Sequence, residues 1–286
     1  MQQKLPDHFK WFVLGWTLLN LIQAGFTELT SDEGYYWFYS TSLQWGYYDH
    51  PPMVALLIHA GTLLFKNEFG VRLFTVLMST GSLILFYQLL PDKTIFNKRS
   101  WLVYLSFPLI TYLSFIVFPD GPLIFFSLLF LYLFKRFINK ENFLNAAVLG
   151  ISMALMLYSK YHGVLVIVFT ILANLNMLRK PLFYLAGIIG LLLFLPHLYW
   201  QYQNHFVTFG YHLSGRTDPW STKHVLEYIS QQIPAIGLGV FFIPFIWKSK
   251  DVMERTMKTI AIGTFIFFFI SSFKTFVHFH WTSIAL

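Results

Sequence analysis

The sequence predicts an all-α protein that crosses a membrane many times, and three observations predict it. The 286-residue chain is 56% hydrophobic and 20% aromatic but only 12% charged, with a mean hydropathy of +0.56. Soluble domains run near a quarter charged. The apolar residues come in blocks of about 15–20, long enough to cross hydrocarbon, and not in a stripe of helical period. The basic residues sort by loop, with alternate loops rich in Lys and Arg and the others poor. No cysteine is present, which excludes disulfides, thiolate catalysis and cysteine-based zinc sites. The net charge of +7 is scattered through short loops, as orientation in an anionic-lipid membrane requires. It forms no patch for nucleic acid.

The spans follow in order near 11–26, 71–90, 101–118, 123–138, 143–158, 164–178, 182–200, 225–247 and 259–273. A further span begins near Phe276 and is cut at Leu286. The expectation is therefore one transmembrane domain over 1–286 that stops short at its C-terminus. Lys4 and Lys10 precede the first span, but no small-x-small cleavage site follows it, so it reads as an uncleaved anchor. The apolar run 53–65 is too short to cross about 30 Å of hydrocarbon and reads as a re-entrant or interfacial helix. It belongs to a first long outer loop, 27–70; a second spans 201–224.

With the N-terminus cytoplasmic, the inner loops hold fourteen of the twenty Lys and Arg residues. The outer six are Lys66, Arg72, Lys160, Arg216, Lys223 and Lys274. That asymmetry fixes the expected topology. The inner loops are short and charged, with no glycine-rich phosphate loop, so any chemistry belongs on the outer face, where the acids and aromatics collect.

Asp32 and Glu33 open the aromatic run Tyr35-Tyr36-Trp37-Phe38-Tyr39 just after the first span. A helix N-terminus with acids on its dipole and an interfacial aromatic belt accounts for the rings. It accounts less well for adjacent acids beside a bilayer, where carboxylates are costly and mark function. One of them then serves as general base or metal ligand, and Tyr35, Tyr36, Trp37 and Tyr48 form a stacking wall for a sugar. Asp49-His50-Pro51-Pro52 reads as an N-cap with proline in the first turn of the next helix. The same rigid cap aims Asp49 and His50 at a fixed point, suited to a phosphate or a metal.

Phe118-Pro119-Asp120-Gly121-Pro122 and Ser159-Lys160-Tyr161-His162-Gly163 are outer turns. Proline, Asp and Gly are ordinary turn formers, and a lysine beside an interfacial tyrosine snorkels. Yet Asp120 shares its membrane face with Asp32, and two carboxylates at one site can divide the work of a base and its support. Lys160 is a rare cation on a face that lacks them and suits a lipid phosphate, with His162 beside it. The next outer segment adds His197, His205, His212, Arg216, Asp218, Lys223 and His224. His205 and His212, seven apart, can share a helix face as metal ligands with Asp49. His278 and His280 before Trp281 read as interfacial. No Asp, Glu, Lys or Arg falls in the middle of a span, which counts against an ion-coupled pump.

SDEGYYWFYS, YYDHPPMVALL, PDGPLIFF and SKYHGVL, in that order, resemble the bacterial protein-mannosyltransferase-like superfamily. This group of GT-C glycosyltransferases includes the aminoarabinose transferases that modify lipid A. The resemblance covers about 27–163, and 196–212 loosely. It implies a polytopic GT-C fold in the bacterial inner membrane. It also implies transfer of a sugar from a polyprenyl-phosphate carrier on the outer face, with inversion at the anomeric carbon. By position, Asp32 matches the first-loop acid implicated as catalytic and Asp120 the second-loop Asp near it. Asp49-His50-Pro51-Pro52 matches a Glu-Lys-Pro-Pro type motif whose acid binds a metal and whose lysine meets phosphate. Here histidine stands where that motif has lysine.

The expected machinery is thus Asp32, Glu33 and Asp120 for catalysis, with Lys160, His50, Arg216 and His162 on the donor phosphate. A divalent ion on Asp49, His205 and His212 is the one cofactor considered. The expected partners are the bilayer, a polyprenyl-phosphate sugar and a hydroxyl acceptor in lipid A, polysaccharide or protein, without nucleic acid. Two other classes compete: a flippase or transporter for lipid-linked sugar, which needs polar groups through the bilayer depth, and a non-catalytic membrane scaffold, which leaves the outer acids unexplained.

Overall fold

The structure, a computed structural model, describes residues 6–90, 104–105, 107–213, 219–237, 249 and 251–285. Helix α1 (Asp7–Phe26) buries Phe9, Trp16, Asn20 and Ala24 along one face and leaves Trp11, Leu14, Leu18 and Ile22 exposed. An apolar face with no protein partner is what a helix presents to lipid. Helix α2 (Ser31–Ser40) is capped by Thr30, and α3 (Met53–Leu64) follows Pro52. Asn67 caps α4 (Glu68–Leu89) through the Gly70 amide. Gly61 of α3 and Gly70 of α4 lie so close that a Cβ at Gly61 would stand 2.0 Å from the Gly70 carbonyl oxygen. Glycine is required there by proximity alone.

A short α5 (Pro108–Tyr112) leads into α6 (Asp120–Asn139). Helices α7 (Phe143–Ser159) and α8 (Gly163–Ala173) follow, then a 3₁₀ turn at Leu175–Arg179. Helix α9 (Pro181–Gln203) packs along α7, where Gly150 meets the Ala186 carbonyl and Gly190 meets the Gly150 carbonyl. Small residues let backbones touch in a membrane, where dispersion and not water exclusion holds helices together. Next come α10 (Val207–Leu213), α11 (Thr222–Ile236), α12 (Val252–Ser271) and a closing 3₁₀ segment, Phe279–Ala285. The central core runs through α6, α7 and α9 around Phe130, Phe134, Leu149, Met156 and Ala186.

Three helices among the described residues are long and apolar enough to cross a membrane: Glu68–Leu89, Asp120–Asn139 and Pro181–Gln203. They match the expected spans 71–90, 123–138 and 182–200. Run 53–65 is a 12-residue helix, as its length required. The expected spans 11–26, 143–158 and 259–273 are also continuous helices, whereas others are interrupted. Within 101–118, Phe107 is extended before Pro108, a residue pair that proline ring sterics bias away from helix, and α5 lasts only five residues. The expected span 164–178 breaks at Asn174, whose side chain bonds the Thr170 carbonyl and Thr256 Oγ1 across to α12. Helix α11 ends at Gly237 with φ 57°, and 238–248 lie outside the described residues. The segment after Phe276 does not open a tenth span; it folds as a 3₁₀ turn against α6 and α12.

Chain order then gathers the C-terminal end of α1, helix α2, the start of α4, the start of α6, the α7–α8 turn and the C-terminal end of α9 at one end of the bundle. The hydrogen bonds between them, described next, fix that end.

Candidate active site

Glu33 is the first fixed point. Thr30 Oγ1 accepts from the Glu33 amide while Glu33 Oε2 accepts from the Thr30 amide, a reciprocal cap that satisfies two orphan donors. Arg72 grips the same carboxylate with Nε at 2.7 Å and a terminal nitrogen at 2.6 Å. Its remaining donors reach the carbonyls of Ala24, Thr27 and Glu28. The Val117 amide donates to Glu33 Oε1 at 3.0 Å. Both side chains are fully buried. Glu33 was a catalytic candidate; its oxygens are instead committed to holding α1, α2, α4 and the 117–120 turn together. The neighbouring Asp32, one helical step round, is exposed.

Asp120, at the start of α6, is fully buried and ties to Lys160 at the end of α7. Lys160 Nζ stands 3.0 and 2.8 Å from its two carboxylate oxygens. Ser283 Oγ donates to Asp120 Oδ1 at 2.9 Å, and His280 Nε2 lies 3.9 Å from Oδ2. The expected phosphate ligand Lys160 and the expected second acid Asp120 are thus one ion pair, and such pairs hold in the interior only with this bidentate geometry and extra donors. Sequence reasoning missed Ser283 and set His280 at the interface. The contacts span 163 residues, and no local pattern announces them.

Asp49 forms the third corner. Its Oδ1 accepts from Tyr39 at 2.9 Å and Tyr35 at 3.1 Å, and those two phenols also share a short hydrogen bond. His50 Nε2 lies 3.6 Å from Asp49 Oδ2 and 3.4 Å from the Tyr36 hydroxyl. His212 Nε2 meets the Asp49 carbonyl at 2.8 Å. A second network ties loop 41–52 to α9. His197 Nδ1 bonds the Trp45 carbonyl at 2.6 Å, so that nitrogen carries the proton and Nε2 accepts from Tyr161 at 2.7 Å. Gln201 and Thr208 extend the network to the Tyr47 carbonyl. Gly46 packs under Trp200, where a Cβ would stand 2.4 Å from the indole.

These corners meet at Tyr36. Burial, and then the charges of Asp49, Asp120 and Asp32, push its phenol well above the ordinary range. Burial does most to raise Tyr35 to about 12. Tyr36, a sugar-stacking candidate by sequence, is buried, with its ring against Phe118 and His50. It organises the site and offers no face. Tyr35, Trp37 and Tyr48 remain exposed. Burial, and next the Lys160 charge, holds His162 well below the usual imidazole range. Burial likewise lowers His280 to about 3, against the opposing pull of Asp120. Both rings are neutral near pH 7, and both have a buried Nδ1 without a protein partner among the described residues.

The expected metal ligands do not converge. His212 serves the Asp49 backbone, and His205 is exposed on a turn where it and Phe206 both take φ 54°. Among the described residues no three His, Asp or Glu side chains are set to hold an ion. Arg216 lies outside the described residues. Beside the cluster, Pro108, Leu109, Tyr112, Gln231, Pro234, Ala235 and Phe279 line an almost wholly apolar groove of about 410 Å³. Tyr112 links it to Phe118, whose ring lies 5.0 Å from His280.

Residues 49–200 match the family described as dolichyl-phosphate-mannose-protein mannosyltransferase. The chain is 25% identical over 245 residues to the lipid A galacturonosyltransferase RgtD of Rhizobium johnstonii. That match covers 80% of this chain and 51% of the relative, so the chain spans about half the relative's length. The fold is similar to that of ArnT from Cupriavidus metallidurans in the apo state, with a TM-score of 0.75 at 16% identity. The similarity covers 97% of this chain and 57% of that one.

Proposed function

This chain belongs to the dolichyl-phosphate-mannose-protein mannosyltransferase family, and from that premise we propose that it is the site-bearing part of a membrane glycosyltransferase. It moves a sugar from a polyprenyl-phosphate donor to a hydroxyl acceptor on the outer face of the bacterial inner membrane. The acceptor lies in lipid A, polysaccharide or protein; the name of the Rhizobium relative supports lipid A. One arrangement supports the reading: contacts run from Asp49 through His50, the buried Tyr36, Phe118 and His280 to Asp120, which pairs with Lys160 near an apolar groove.

In this reading Asp32 is the base. It is the exposed acid of the three, whereas Asp120 is held by Lys160 and Ser283 and Asp49 by two phenols. Asp32 takes the proton of the acceptor hydroxyl as that oxygen bonds to the anomeric carbon. The bond from that carbon to the phosphate oxygen breaks, and the lipid phosphate leaves with the electron pair. Positioned base catalysis of this kind supplies about 10²–10⁴-fold. Charge grows on the leaving phosphate, so preorganised donors aimed at it are the largest expected contribution. Asp120 aims Lys160, and His162 adds a neutral N–H donor, with His50 nearby. The apolar groove accepts the polyprenyl tail. No step is routed through a metal, because the proposed ligands face other partners.

The test is release of free polyprenyl phosphate from a labelled polyprenyl-phosphate sugar by the purified full-length protein. The expected result is release that depends on acceptor. Movement of the intact donor across a vesicle membrane, without cleavage, would assign the protein to the flippase class instead.

A further inference from the structure

A transferase needs a second site, and a second groove exists. Phe38, Tyr39, Gln44, Tyr47, Tyr48 and Trp200 line a recess of about 260 Å³ on loop 41–52. Its walls differ from those of the apolar groove in kind. Tyr39 and Tyr47 stack at 4.3 Å with rings 14° from parallel, and Trp200 Nε1 donates to Gln44 Oε1 at 3.1 Å. The Gln44 backbone amide donates to the Tyr47 hydroxyl at 3.2 Å and its Oε1 accepts from Trp200, while the Tyr48 side chain is 54% exposed on the recess. An interfacial belt explains exposed rings. It does not explain rings lining a recess that also carries amide and hydroxyl groups, which is the make-up of a polar ligand site.

Position gives the recess its role. From the apolar groove, ring contacts run Phe279–Tyr112–Phe118–Tyr36, and Tyr36 meets His50 beside Asp49. From Asp49 one hydrogen bond reaches Tyr39, a wall of the recess. The carboxylate cluster therefore lies between a largely apolar groove and an aromatic, hydrogen-bonding one. Donor lipid and acceptor saccharide need that arrangement. We propose that the recess formed by Tyr39, Gln44, Tyr48 and Trp200 binds a sugar ring of the acceptor, a carbohydrate headgroup. This rests on the glycosyltransferase reading and narrows its acceptor to a saccharide. The aromatic faces take the apolar C–H face of the ring, and Gln44 takes a ring hydroxyl.

The experiment is saturation-transfer NMR on the full-length protein in detergent, with the soluble β-1,6-linked glucosamine disaccharide as probe. Tyr48→Ala, Gln44→Ala and the aromatic-retaining Tyr48→Trp are compared with the native protein, each first checked for an unchanged unfolding temperature. The native protein should transfer saturation to the disaccharide. Its Kd should rise at least about fivefold in both alanine variants and stay within about twofold in Tyr48→Trp. No saturation in the native protein overturns the proposal, as does an unchanged Kd in both alanine variants. Saturation of a sugar-free Ser/Thr peptide in place of the disaccharide also overturns it. Polyprenyl phosphate release, measured separately, keeps the two readings apart. Disaccharide binding without release sinks the transfer reaction alone, and release with no disaccharide binding sinks the recess alone.

Discussion

Arg72→Leu should be the most destabilising single change at this end of the bundle. The substitution removes two charge-assisted bonds to Glu33 and donors to three carbonyls, those of Ala24, Thr27 and Glu28. Glu33 keeps the Thr30 and Val117 amides but becomes a buried anion without its counter-charge. Removing one partner of such a pair costs about 3–5 kcal/mol. In the double variant Arg72→Leu/Glu33→Leu the stranded charge is gone, but the Ala24, Thr27 and Glu28 carbonyls and the Thr30 and Val117 amides lose partners, at about 1–3 kcal/mol for each that water cannot reach. The double variant should therefore be more stable than Arg72→Leu alone by about 1–3 kcal/mol, yet less stable than the native protein. Reversible unfolding in mixed micelles, followed by tryptophan fluorescence, measures all four corners of the cycle. An Arg72→Leu protein within about 1 kcal/mol of native, or a double variant with simply additive loss, would refute the account of Glu33 as a fastening residue.

Asp32→Asn, nearly isosteric, should lower turnover by about 10²-fold or more with polyprenyl-phosphate binding retained; near-native turnover removes Asp32 as the base. Lys160→Ala should weaken binding of polyprenyl phosphate itself, and unchanged affinity would confine Lys160 to holding Asp120. His162 and His280 take up protons less readily folded than unfolded, so stability is full above about pH 6.5 and falls as pH drops toward 3. The groups acting on His280 are Asp120, Lys160, His278 and His50. His280→Asn should flatten the fall in unfolding temperature between pH 7 and pH 5, and an equally steep fall would assign the loss to other groups. The native chain has no cysteine, so single cysteines report sidedness. One at Gln44 should label from outside and one at Lys140 from the cytoplasm, and the reverse pattern inverts the proposed topology.

Hydropathy located the long spans because the bilayer imposes a length on each of them. It misjudged the stretches around Pro108 and Asn174, where one residue diverts the backbone from a helix that composition alone would allow. The grouping of Asp32, Asp49, Asp120 and Lys160 at one end followed from topology. Their division of labour did not. Asp32 and Glu33 are adjacent, and only the 100° between helical neighbours decides which faces Arg72. A local signal existed, since Thr30 stands three residues before Glu33, the spacing of a reciprocal helix cap. Nothing local marks Arg72 as its partner, or His280 and Ser283 as neighbours of Asp120. Those pairings depend on which helices pack, and lipid-facing and protein-facing apolar positions look alike in a sequence.

The separation of these partners sets a timetable for synthesis. Glu33 emerges 39 residues before Arg72 and 84 before the Val117 amide. At roughly 5–20 residues per second it waits on the order of 2–8 s for its counter-charge. Asp120 waits 40 residues for Lys160 and 163 for Ser283, about 8–33 s for the latter. During insertion, each acid must stay hydrated or be sheltered by the insertion machinery until its partner arrives. The site closes only when the stretch around Ser283 has been made and has folded back onto α6. A ribosome stalled between α9 and α12 would hold a bundle whose three long apolar helices, α4, α6 and α9, are made while Asp120 still lacks Ser283.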